Sequence, residues 1–255
     1  MLSQIEAIAR KAGKMILEYR DAAIHQKEGH YNFVTDADVS VQNFLKDALL
    51  SLLPGAHFFA EEQENNPLTE EATFVVDPID GTNNFMRGRN LSAVSIALLK
   101  KKQPLLGVIY NPYADEMFTA EKGKGAWLNG TSIHVSDIAF ENAIVSYGTS
   151  PYDAELAKRT MKLAEQFLLK AGDLRRTGSA AIDLSDVACG RSDIMFEMRL
   201  RPWDVAAGSL LIAEAGGYFF SMGHDVPYYD DACGIWACTP ACLEKANQLI
   251  SEVLS

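Results

Sequence analysis

A chain of 255 residues with 48% apolar and 22% charged content can bury a large core, as one large domain or two tightly packed ones, and shows no signature of disorder. Its formal net charge of -11, spread along the chain without an acidic tail, argues against non-specific nucleic-acid binding, and an acidic protein that takes a phosphate needs cations between the two. Met1 to Arg20 mixes charge into a helical pattern and no later uncharged apolar run approaches membrane-spanning length, so the expectation is a cytoplasmic protein with no membrane contact.

Leu2, Ile5, Ile8, Ala9, Ala12, Ile16 and Tyr19 recur at three- and four-residue steps, which predicts a first amphipathic helix. Val41, Phe44, Leu45, Ala48, Leu49 and Leu52 repeat the pattern for a second helix over Val39 to Leu53, with Asp38 placed to cap its start and Pro54-Gly55 to end it. Strands follow at His57 to Ala60, Thr73 to Val76, Leu91 to Leu99, Leu105 to Tyr110 and Met117 to Ala120, an antiparallel sheet behind two helices. The Lys100-Lys101-Lys102 run between two of them reads as a solvated hairpin turn.

After a turn region at Gly123 to Gly130 the pattern becomes alternating. Strand Ala143 to Tyr147, helix Ala154 to Leu169, a strand near Leu174, helix Ala180 to Val187 and strand Ile194 to Met198 lead to a helix after Trp203 and another near Pro240, separated by strands Tyr218 to Met222 and Ile235 to Cys238. This divides the chain into an N-terminal α+β half, 1–130, and a C-terminal α/β half, 131–255. Cys189, Cys233, Cys238 and Cys242 sit among apolar or small residues and read as reduced packing residues, because the last three lack the paired spacing and the histidine of a zinc site.

The most informative stretch is Val75-Val76-Asp77-Pro78-Ile79-Asp80-Gly81-Thr82-Asn83-Asn84-Phe85, read with Glu61-Glu62 upstream and Trp203-Asp204 downstream. Pro78 cannot donate to a ladder, so Asp77 is expected where strand gives way to turn, and Gly81 lets the backbone approach a ligand. By itself Asp-Pro-x-Asp-Gly is more often a capped surface turn. With Glu61 and Asp204 in the same site, the carboxylates repel one another unless protonated or neutralised, and magnesium suits such oxygen ligands. An aspartyl-phosphate enzyme with Asp-x-Asp-x-Thr is ruled out, since Pro78 stands where its first aspartate belongs, and a calcium loop lacks its acidic third position and distal glutamate.

Phe59-Ala60-Glu61-Glu62, Asp77 to Phe85, and Trp203-Asp204-Val205-Ala206-Ala207-Gly208 running into Glu214-Ala215-Gly216-Gly217 occur in the order found in the inositol monophosphatase-like sugar phosphatases, and the chain resembles that family. Val34-Thr35-Asp36-Ala37-Asp38, Gly123 to Ala126 and Thr177 to Ala181 extend the resemblance over nearly the whole length. It implies a layered αβαβα sandwich and a lithium-sensitive, magnesium-dependent phosphomonoester hydrolase, with most metal ligands in the first half and the substrate-pocket residues and one ligand in the second.

The resemblance also implies roles. Glu61, Asp77, the Ile79 carbonyl, Asp80 and Asp204 would hold two or three magnesium ions. Thr82 and Asp38, with Glu61, would orient and deprotonate the water that attacks phosphorus directly. Gly81 and Thr82 would hold phosphate by their N–H groups; Gly178, Ser179, Ala180, Glu197 and Asp204 would line the substrate pocket, with Glu197 taking a hydroxyl. A small phosphorylated polyol, inositol monophosphate first, is the expected substrate, with histidinol phosphate and fructose 1,6-bisphosphate open because Asn83 and Gly29-His30-Tyr31-Asn32 depart from the commonest pattern. A homodimer is expected, and a non-catalytic metal-binding regulator is the alternative of a different class.

Overall fold

The computed structural model describes residues 1–19, 24–26, 33–222 and 232–254, so the Gly29 to Asn32 departure lies outside the described residues. The two N-terminal amphipathic stretches form α1 (Leu2–Glu18) and α2 (Asp36–Leu52), with the antiparallel pair β1 (Ile24–Gln26) and β2 (Phe33–Thr35) between them. There follow β3 (His57–Ala60), β4 (Thr73–Asp80), the short α3 (Thr82–Met86), β5 (Ala93–Lys100), β6 (Gln103–Asn111), β7 (Glu116–Glu121), β8 (Gly125–Leu128) and β9 (Thr131–Ile133). The remainder is β10 (Ile144–Tyr147), α4 (Ala154–Lys170), β11 (Asp173–Arg175), α5 (Ala180–Ala188), β12 (Ile194–Leu200), α6 (Pro202–Glu214), β13 (Tyr218–Ser221), β14 (Cys233–Cys238) and α7 (Leu243–Leu254).

Strands β3 to β9 form one sheet in sequence order, and a second has the order β11-β10-β12-β14-β13. The first sheet is antiparallel except for β3 and β4, which run parallel because the long connection from Glu61 to Ala72 returns the chain to the same end. Gly123 to Gly130 does not form a turn region as expected. Gly123 and Gly130 turn the chain at positive φ, and Gly125–Leu128 between them pairs with β7. Pairing continues past Thr131, as β9 adds to β8.

Alternation along the strands sends neighbouring residues into different cores. Phe74, Val76, Val94, Ile96 and Val108 face α1 and α2, whereas Val75, Ala97 and Ile109 face α5 and α6. The second sheet does likewise: Met195, Ile235 and Ala237 join the α5/α6 core, and Val145, Ile194, Phe196 and Trp236 pack with α4 and α7. The result is the αβαβα sandwich, helix pair, sheet, helix pair, sheet, helix pair. Its central pair is apolar around most of α6, from Val205 to Ile212, as a helix sandwiched between sheets must be. Contact is close enough that a Cβ at Gly107 of β6 would stand 2.9 Å from Ala207 O.

Candidate active site

Two residues three apart on a regular strand point to opposite faces. Asp77 lies opposite Ser95 and Asp80 opposite Ala93, so β4 carries one residue more than β5 across this step and the strand bulges. Pro78, with no N–H to offer, occupies the bulge, and the extra residue turns both carboxylates to the same side. Strand geometry therefore continues through Asp80, where a turn beginning at Asp77 was expected. The Ile79 N–H donates to Asp77 Oδ1 at 3.0 Å and holds that carboxylate in place.

Asp204 reaches the same point from α6, and one oxygen from each of Asp77, Asp80 and Asp204 lies within 4.8 Å of the others. Asp204 is not itself the N-cap of α6. Arg201 is the N-cap, Pro202 opens the helix, and Asp204, at the third position, accepts the Arg201 N–H at 2.6 Å. Asp38 is displaced identically. Helix α2 begins at Asp36 with Thr35 as N-cap, and Asp38 Oδ2 accepts from Thr35 N at 2.7 Å and from Thr35 Oγ1 at 2.5 Å, a capping box. Its other oxygen, Oδ1, accepts from Thr82 Oγ1 at 3.4 Å, and the same hydroxyl lies 3.3 Å from the Ile79 carbonyl.

Gly81 has φ of +88° and starts α3, placing Thr82 in its first turn; five residues are too few for periodicity to reveal such a helix. Gly178 packs against it across the two sheets, and Asn84 Nδ2 ties them by donating to Leu91 O at 2.7 Å and Thr177 O at 3.0 Å. Ser179 caps α5 by accepting Ile182 N, and its hydroxyl also donates to Asp80 Oδ2. The Ala181 N–H donates to that oxygen at 2.8 Å. The positive end of α5 is thus spent largely on Asp80.

Glu61, Asp77, Asp80, Gly81, Thr82, Gly178, Ser179, Ala180, Glu197 and Asp204 all line one cavity of about 200 Å³. Ile79 and Asp38 stand behind it, fully buried. Arg176 lines it as well, whereas Arg175 is paired with Asp173 and Arg199 lies 3.9 Å from Asp153. Gly148, Thr149, Pro151 and Asp183 are lining residues that sequence reasoning missed. Gly148 could have been noticed as a glycine at the C-terminal end of a strand in the α/β half, where ligands bind. A Cβ there would overlap the Glu197 carboxylate.

Burial is the largest influence on all five perturbed carboxyls that line the cavity, Asp77, Asp80, Asp183, Glu197 and Asp204. It pushes Asp77 and Asp204 well above the usual carboxylate range, and the negative charges of Glu61 and Asp80 push both further. Asp80 rises only to about 6, because the Ser179 hydroxyl and the α5 N–H groups favour its ionised form. Glu197 rises to about 8, with the charge of Asp80 adding to burial and Arg176 opposing it. All-oxygen donors held this close fit a hard cation, whose charge would reverse each of these shifts.

The model of the inositol monophosphatase family matches residues 1–255. Inositol monophosphatase 2 of Solanum lycopersicum is 41% identical over 224 residues, covering 84% of this chain and 83% of its own. Nus factor SuhB of Xylella fastidiosa is 37% identical over 231 residues, covering 88% and 82%. Among solved structures, the extragenic suppressor protein suhB of Bartonella henselae superposes with a TM-score of 0.89 at 30% identity, covering 98% of each chain. The motifs, the layered fold and these relatives agree, and the chain belongs to the inositol monophosphatase family and is a phosphatase.

Proposed function

We propose that the protein hydrolyses the phosphomonoester of a small polyol, inositol monophosphate first, with magnesium held by Glu61, Asp77, the Ile79 carbonyl, Asp80 and Asp204. The observation that carries this reading is the group of three carboxylates within 4.8 Å of one another, each pushed toward protonation where no cation offsets its neighbours. Two or three bound magnesium ions would supply positive charge to the phosphoryl oxygens and make water acidic enough to attack phosphorus.

The protein's own groups do the rest. Asp38 has one oxygen fixed by Thr35 and presents the other to Thr82, so the pair forms a relay that takes the proton from the attacking water at Thr82 Oγ1 and delivers it to Asp38 Oδ1. Glu61, in the same cavity, orients that water. The N–H groups of Gly81 and Thr82, at the start of α3, receive the phosphate. Gly178, Ser179 and Ala180 shape the floor of the pocket, because the Ala181 and Ile182 N–H groups are already engaged by Asp80 and Ser179. Glu197 takes a polyol hydroxyl, and Asp204 lies beside the leaving oxygen.

The test is phosphate release from inositol 1-phosphate, histidinol phosphate and fructose 1,6-bisphosphate, with and without magnesium and lithium, alongside Asp80→Asn. Magnesium-dependent release, fastest from inositol 1-phosphate, inhibited by lithium and reduced at least about 100-fold in Asp80→Asn, is expected. Wild-type turnover in Asp80→Asn would sink the metal assignment. Sedimentation should give a homodimer. The Nus factor relative favours a second reading, a metal-binding regulator; magnesium that raises the melting temperature with no release from any substrate is its signature.

A further inference from the structure

Asp183 is the one carboxylate among the described residues with a buried oxygen that has no hydrogen-bond partner. It is 2% exposed, sits in the first turn of α5 and lines the same cavity as Glu197 and Arg176. The other three orphaned atoms, on Ser150, Thr160 and Thr239, are hydroxyls, which cost far less to bury. Nearby donors are already committed. The Thr177 hydroxyl, 3.1 Å from Ser179 O, also bonds the Asp183 carboxyl but leaves Oδ1 without a partner, while Ala181 N serves Asp80 and Ile182 N serves Ser179 Oγ. Asp183 also lies outside the group of Asp77, Asp80 and Asp204 oxygens that share one point.

A buried carboxylate oxygen with no donor is among the costliest features a fold can retain, and a pocket is where such a cost is kept because a ligand removes it. A polyol brings O–H donors into this cavity, and the neighbouring Glu197 is already assigned to one. We propose that Asp183 is a second hydroxyl-binding carboxylate, which with Glu197 reads two hydroxyls of the polyol moiety. This rests on the polyol-phosphatase reading given above.

The experiment compares kcat/KM for inositol 1-phosphate with that for 4-nitrophenyl phosphate, which has no hydroxyl to offer, in wild type, Asp183→Asn and Asp183→Ala at saturating magnesium. The preference for inositol 1-phosphate should fall about 10-fold or more in Asp183→Ala and less in Asp183→Asn, chiefly through KM, as the loss of a hydrogen bond to a charged group predicts. Melting temperature without substrate should hold in Asp183→Asn, which keeps the shape of the side chain and removes its buried charge. An unchanged preference in both variants overturns the assignment. So does an equal loss on both substrates with a lower melting temperature, which would make Asp183 a structural strut through Thr177. If wild type cleaves 4-nitrophenyl phosphate but no polyol phosphate, the polyol reading itself falls and takes this inference with it.

Discussion

Asp38 and Asp204 each stand at the third position of a helix and bond back to the N-cap backbone, so one carboxylate both closes a helix start and faces the site. The spacing Thr35-x-x-Asp38 and the proline at position 202 were the legible signals, since an acidic third residue and a first-turn proline mark the same helix start. Burial of the clustered carboxylates has a consequence in solution. Asp80 is raised to about 6 and Glu197 to about 8, so the metal-free folded state keeps protons that the unfolded chain releases from about pH 4 upward. Stability from these groups is complete below the unfolded values and is lost as pH rises through the folded ones. Thermal melts in EDTA should therefore show a falling midpoint from about pH 5 to about 8, and magnesium should flatten the fall. Equal slopes with and without magnesium would contradict the electrostatic account. Asp183 was not legible, because an aspartate amid Ala-Ala-Ile and Leu-Ser reads as one polar position on an otherwise apolar helix.

Among the elements, long amphipathic helices and strongly apolar strands were readable from period alone, and α1, α2 and β4 to β7 lie near their expected places. The brief ones were not. Helix α3 is a single turn, β8 and β9 are short pieces among glycines, and α7 begins at Leu243 only after a 3-10 turn at Pro240–Cys242. The bulge in β4 escaped because it is defined by its partner β5, which no local pattern reports. Element packing also fixes where Asp204 stands, since α6 lies directly on β6 at Gly107. Gly107→Ala should push α6 outward, lowering stability by about 1–3 kcal/mol and weakening magnesium binding with it. Denaturant unfolding and a magnesium titration check both, and a loss of stability with unaltered metal affinity would separate α6 packing from the site.

Across the whole molecule, the core containing α5 and α6 takes side chains from both sheets, so neither sheet can lose its packing alone. Trp127 in β8 and Trp236 in β14 report from opposite sheets. Variants retaining only one or the other tryptophan should each show a single unfolding transition, and within either variant fluorescence and far-ultraviolet dichroism should share a midpoint. A fluorescence midpoint well apart from the dichroism one in either variant would mean that the halves unfold separately. That the sequence divided near Thr131 while β9 still pairs in the first sheet reflects the same interleaving.

The two aspartates at helix starts bear on how such proteins change over time. A descendant that abandoned catalysis would still be selected to keep Asp38 and Asp204, because each closes the first turn of a helix packed in the core. Persistence of acidic residues at these two positions is therefore a poor record of retained activity. Gly148 is a better one: its lack of a side chain makes room for Glu197, and once the pocket ceased to matter, larger residues would accumulate there.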